Sequence, residues 1–185
     1  MMFGTNHFPN YRQLDQMDCG PTCVKIIAKH YGKEYSLDYL RQISNLRTGG
    51  VSLAGISEAL DAIGFDTVGI RADFVELVKD VPLPVIAHWE NKHFIVIHRT
   101  TKNYIYVSDP AIGLVKYGYG EFVEKWVGRQ HGKGILLLVE PNRQFPNPQE
   151  EGTSPLGLEY LYHYLVPYKN YIGQLCLGLV LATII

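Results

Sequence analysis

The chain has 185 residues, 46% of them hydrophobic and 19% charged, the balance of a globular protein rather than of a disordered one. Its 17 basic and 18 acidic residues leave a net charge of −1, and the basic ones are scattered, so no electrostatic footprint for nucleic acid is present. Three cysteines form no paired framework, and residues 1–7 lack the basic and apolar regions of a signal peptide; both point to a reducing, cytosolic setting.

The first patterned segment is Asp18-Cys19-Gly20-Pro21-Thr22-Cys23, followed by the apolar Val24, Ile26, Ile27 and Ala28. Pro21 suits the first helical position, where a missing N–H costs nothing, and Gly32 can end the helix. Cys19 then lies at or just before a helix N-terminus. Unpaired N–H groups and the positive end of the helix dipole favour a thiolate there, which makes a nucleophile near neutral pH. Cys23, one turn inward, reads as a core residue. Three residues separate it from Cys19, not the two of a thioredoxin-like redox pair, and a metal site shared with a histidine is a minor alternative. The role of Asp18 stays open.

Three more helices follow in the pattern. One starts at Ser36 as N-cap, with Leu37, Leu40 and Ile43 on one face. The next starts at Ser52, carries Leu53, Ile56, Leu60 and Ile63, and ends at Gly64 in a left-handed conformation. The last has Asp73 as cap and Glu76 three residues later, the capping-box spacing. Gly49-Gly50 reads as a loop before the Ser52 cap. Strands are expected at 84–89, 93–99, 104–108, 113–117 and 135–140, with a short helix at 121–127. Helices first and an antiparallel sheet second make the α+β class.

A reactive cysteine needs a base, and the base an orienter, brought together by folding. His93 opens the apolar run Phe94-Ile95-Val96-Ile97 just after the turn-like Glu90-Asn91-Lys92. The strand that ends in Ser108-Asp109-Pro110 pairs with it across Thr101-Lys102-Asn103, and an antiparallel register brings Asp109 near His93. A carboxylate there holds the imidazole in one tautomer. His88 and His98 are the competing bases; His98, five residues into the strand, falls on the face opposite His93.

Taken together, Gln13-x5-Cys19-Gly20, an isolated His before an apolar strand and Asp-Pro resemble the peptidase domain of bacteriocin-processing ABC exporters, over roughly residues 8–140. The resemblance implies a papain-like cysteine protease, with a helical part packed on the antiparallel sheet, that removes double-glycine leader peptides. It implies Cys19 as nucleophile, His93 as general base and acid, Asp109 as orienter and Gln13 as side-chain donor of the oxyanion hole, with the Cys19 amide as second donor. Trp89 and its loop are candidates to roof a slot that admits only glycine. A transamidase with the same triad and a non-catalytic cargo-binding domain are the alternatives.

This places a peptidase domain at residues 1–140 and a linker rich in Pro, Asn, Gln and Glu at 141–155. Residues 156–185 combine clustered tyrosines with an apolar run shorter than the roughly 20 residues that span a bilayer, and read as an interfacial segment and a truncated first transmembrane helix. An amphipathic helix packed on the domain or on a second copy is the other reading. No phosphate-binding G-x-x-x-x-G-K-[ST] loop is present, so ATP and Mg belong to a nucleotide-binding domain outside these residues, and no cofactor or metal is expected in this one. The exporter resemblance further implies a homodimer at the cytoplasmic face of the bacterial cell membrane.

Overall fold

The computed structural model describes residues 8–45, 50–90, 92–127 and 132–142. A 3₁₀ turn, Gln16–Asp18, runs directly into α1 (Cys19–His30). The helix therefore starts at Cys19, and Pro21 occupies its third position rather than its first. The N–H that proline lacks is still one of the four a helix start leaves without a partner, so the ring is tolerated there. The amide of Tyr31 reaches back to the Ile27 carbonyl at 3.2 Å, and Gly32, at φ 89°, turns the chain away.

α2 (Leu37–Ile43) and α3 (Leu53–Ala62) begin where Ser36 and Ser52 cap them, each serine oxygen accepting the N–H three residues on. Gly64 follows α3 at φ 92°. α4 (Phe74–Lys79) has the full Asp73–Glu76 capping box, with Asp73 accepting from the Val75 and Glu76 amides and Glu76 from the Asp73 amide.

The strands are β1 (Phe65–Ala72), β2 (Val85–Trp89), β3 (His93–Thr100), β4 (Tyr104–Asp109), β5 (Gly113–Gly118) and β6 (Gly134–Pro141), with α5 (Tyr119–Val127) before the last. They form one antiparallel sheet in the order β1-β6-β2-β3-β4-β5. β1 is the strand that the apolar pattern does not reveal. Its sequence Phe-Asp-Thr-Val-Gly-Ile-Arg-Ala is buried only at Phe65 and Ala72, because it is an edge strand. The late strand β6 pairs with it from Phe65↔Pro141 to Ala72↔Gly134, and Asn142 then donates to the Gly64 carbonyl at 2.9 Å. Pro141 thus belongs to the sheet rather than to a linker; residues 143–185 lie outside the described ones.

Both faces of the sheet are covered. Phe94 and Val96 pack with α1, α2 and α3, while Ile95 and Ile97 pack with Leu77 of α4 and Phe122 and Trp126 of α5. That is why β3 is an unbroken apolar run rather than an alternating one. Trp89 belongs to the second cluster, 4% exposed with its ring against Tyr117 and Phe122, so it is a core residue and roofs no slot. No helix among the described residues is long and apolar enough to cross a membrane.

Candidate active site

The site forms where the start of α1 meets the end of the β3–β4 pair. Val96 pairs with Ser108, which sets β3 and β4 in a register that carries Asp109 to the His93 end of the neighbouring strand. His93 Nε2 lies 2.8 Å from Asp109 Oδ1. The Asp109 carboxylate is fixed in turn by the Ala111 amide at 2.8 Å, and its side chain is 6% exposed. With Nε2 engaged by Asp109, Nδ1 is the ring nitrogen left for another partner, and the Cys19 sulfur is among the groups that favour a proton on the ring. Burial opposes charge on the ring, but the Asp109 carboxylate and the Cys19 sulfur outweigh it and push the imidazole up to about 9 from 6.5. The three residues therefore meet as a carboxylate, an imidazolium-favouring ring and a sulfur at a helix N-terminus.

The other two histidines near the sheet are elsewhere. His98 stacks on Phe8 at 4.2 Å on the α1 face of the sheet, and burial and the neighbouring Arg99 and His30 push it down to about 4. His88 lies against Phe94 and is also lowered by burial. Cys23 is completely buried; burial first, then the nearby Cys19 sulfur and Asp109 carboxylate, push its thiol well above the ordinary value, so it stays a neutral core group.

Gln13 sits on a segment that crosses from the sheet to α1. Ser108 Oγ donates to the Pro9 carbonyl at 3.0 Å, Arg12 Nη2 to the Ile112 carbonyl at 3.1 Å, and the Gln13 amide to the Pro110 carbonyl at 2.9 Å. The residue expected to donate to an oxyanion is thereby tied to the turn that follows Asp109. Its side chain makes no hydrogen bond to Cys19 among the described residues, and its Oε1 is buried without a partner.

Two residues escaped the sequence reading. Asp18 is buried, and Arg41 of α2 grips its carboxylate with Nε at 2.8 Å and Nη2 at 2.6 Å. That hydrogen bonding holds the Asp18 carboxyl below the usual range against the opposing effect of burial. Asp18 had a signal, its place beside the cysteine. Arg41, twenty-three residues on, had none, since no spacing rule links a helix start to the next helix's last turn.

The model of the Peptidase C39 family matches residues 7–144. The chain is 33% identical over 138 residues to the lactococcin-G-processing and transport ATP-binding protein LagD of Lactococcus lactis subsp. lactis, covering 72% of this chain and 19% of that one. It is 30% identical to the transport/processing ATP-binding protein ComA of Streptococcus pneumoniae, covering 100% of this chain and 25% of ComA. The chain thus spans about a fifth to a quarter of the length of these relatives. Among solved structures, a double glycine motif protease from an AMS/PCAT transporter, in complex with its leader peptide, superposes with a TM-score of 0.68 at 26% identity, covering 76% of this chain and 96% of that one. The peptidase domain of Streptococcus ComA gives 0.66 at 29% identity, covering 74% and 100%.

Proposed function

We propose that this chain, which belongs to the Peptidase C39 family of cysteine peptidases, cleaves the bond after a Gly-Gly pair in the leader of a peptide precursor. Cys19 is the nucleophile, His93 the base and acid, Asp109 the orienter and Gln13 an oxyanion donor. The observation that carries this reading is the His93 ring held by Asp109 at 2.8 Å, with the Cys19 sulfur among the groups that favour its proton.

In this account the thiolate attacks the carbonyl of the second glycine, and the oxyanion is held by the Gln13 side-chain N–H and the Cys19 amide. The leaving amine takes the His93 proton as the C–N bond breaks. Water, losing a proton to His93, then attacks the thioester and frees the leader with the enzyme's sulfur restored. Two glycines suit a slot too narrow for a Cβ. A helical leader would add affinity by laying its apolar face on the domain surface.

The leader-bound structural relative and the processing and transport relatives support the wider reading. The domain would serve an exporter whose transmembrane and ATP-hydrolysing parts lie outside residues 1–142, working as a homodimer at the cytoplasmic face of the cell membrane, with residues 156–185 meeting the bilayer. The test is cleavage of a synthetic Gly-Gly leader peptide by the 185-residue chain, read by mass spectrometry. Cleavage after the second glycine, lost when that glycine becomes alanine, is the expected result; equal cleavage of both peptides would overturn the specificity.

A further inference from the structure

Asp18 adjoins the nucleophile, but among the described residues its carboxylate makes no hydrogen bond to Cys19, His93 or Asp109, and its side chain is only 1% exposed. Arg41 engages both of its oxygens, and Arg41 Nη1 is itself held by Asp38 at 2.6 Å. The same carboxylate accepts the Asp15 amide at 2.9 Å, closing the capping box of the 3₁₀ turn. That amide lies two residues after Gln13. One carboxylate therefore gathers the backbone beside Gln13 at one end and precedes Cys19 at the other, while the Gln13 amide is anchored on Pro110.

Taking a charge pair out of water is costly, and an apolar pair of the same volume is often as stable, so stability alone is a weak reason to bury Asp18. An oxyanion hole built from a side chain and a backbone N–H six residues apart imposes a different demand. Both donors have to be held within about 0.5 Å of their working positions. Gln13 has no bonding partner for its buried Oε1, so its placement relies on its backbone.

We infer that the Asp18–Arg41 pair is the clamp that sets Gln13 against the Cys19 amide, with Asp18 a positioning residue that acts on catalysis through Gln13 and Arg41 the group that fixes Asp18. This rests on the reading of Gln13 as an oxyanion donor.

The test is a double-mutant cycle in the 185-residue chain with Gln13→Ala, Asp18→Asn, Arg41→Lys and the two doubles that contain Gln13→Ala. Rates on a Gly-Gly peptide are divided by the concentration of alkylatable Cys19, so that unfolded protein does not count. Gln13→Ala should lower kcat about 100-fold with KM little changed, the cost of one oxyanion donor. Asp18→Asn should lower kcat by a similar factor, and adding Gln13→Ala to it should cost only a few-fold more. Arg41→Lys keeps the charge but loses the two-pronged grip, so it should fall between wild type and Asp18→Asn. If Asp18→Asn does not fold, the Arg41→Lys cycle decides, again by a shrunken effect of Gln13→Ala. Factors that multiply fully, or a change confined to melting temperature and active fraction, would overturn the clamp. A Gln13→Ala enzyme with undiminished kcat would instead overturn the oxyanion reading on which the clamp rests.

Discussion

His93 Nε2 lies 2.8 Å from Asp109 Oδ1, a contact made by the antiparallel register of β3 and β4 between residues sixteen apart in the chain. It leaves the other ring nitrogen without a bond to Asp109. The ring's affinity for a proton is raised to about 9 from 6.5. A histidine whose proton is held more tightly in the folded state contributes stability that is complete below pH 6.5 and is lost as the pH climbs through about 9. Melting temperature followed by circular dichroism should fall over that window. In Asp109→Ala that slope should flatten and kcat should drop by at least about 100-fold; an unchanged slope would mean that the pair does not carry the proton.

His98 produces the opposite dependence. Packed on Phe8 with Arg99 and His30 nearby, it is pushed down to about 4, so its contribution is complete above 6.5 and is lost as pH falls toward 4. His30 and His88 are lowered by burial and act in the same sense. His98→Phe keeps an aromatic ring against Phe8 and should reduce the acid-side loss in thermal melts, with turnover at pH 7.5 unchanged.

Cys19 and Cys23 differ in chemistry although one helical turn apart. The Cys23 thiol is fully buried and held neutral, so alkylation followed by peptide mass mapping should mark Cys19 and leave Cys23 unmodified in the folded protein. Cys23→Ala should cost about 1 kcal/mol through lost packing and leave the rate per active site as it was. Loss of turnover in that variant would give Cys23 a chemical part.

Much of this was legible in the chain before folding, because it depends on neighbours in sequence. Ser36, Ser52 and Asp73 cap helices through N–H groups three residues away, and the β3–β4 hairpin follows from two apolar runs around a short turn, which is what made Asp109 findable from His93. The rest depends on distant partners. β1 buries only Phe65 and Ala72 because it is an edge, and it is stabilised by β6, some seventy residues later. Trp89 reads equally well as a cleft residue or a core one until α5 closes over it. The Asp18–Arg41 pair belongs to the packing of α2 against α1, which no local pattern encodes.

Gly134 is constrained by the packing of α5 on the sheet. A Cβ at that first residue of β6 would overlap the ring of Trp126, which is 4% exposed. Gly134→Ala should therefore destabilise the domain by about 1–3 kcal/mol, lowering the melting temperature by several degrees, while the folded fraction keeps its activity. A melting temperature equal to wild type would show that α5 yields easily.

The central claim, a Cys19 thiolate acylated by the leader with His93 serving the proton transfers, is tested most directly by intact-mass spectrometry of the chain quenched in acid during turnover of a Gly-Gly peptide. The account predicts a transient adduct equal to the leader's acyl mass, located on Cys19, present in wild type and absent together with all cleavage in Cys19→Ala. Cleavage that persists in Cys19→Ala, or an adduct on another residue, would contradict it.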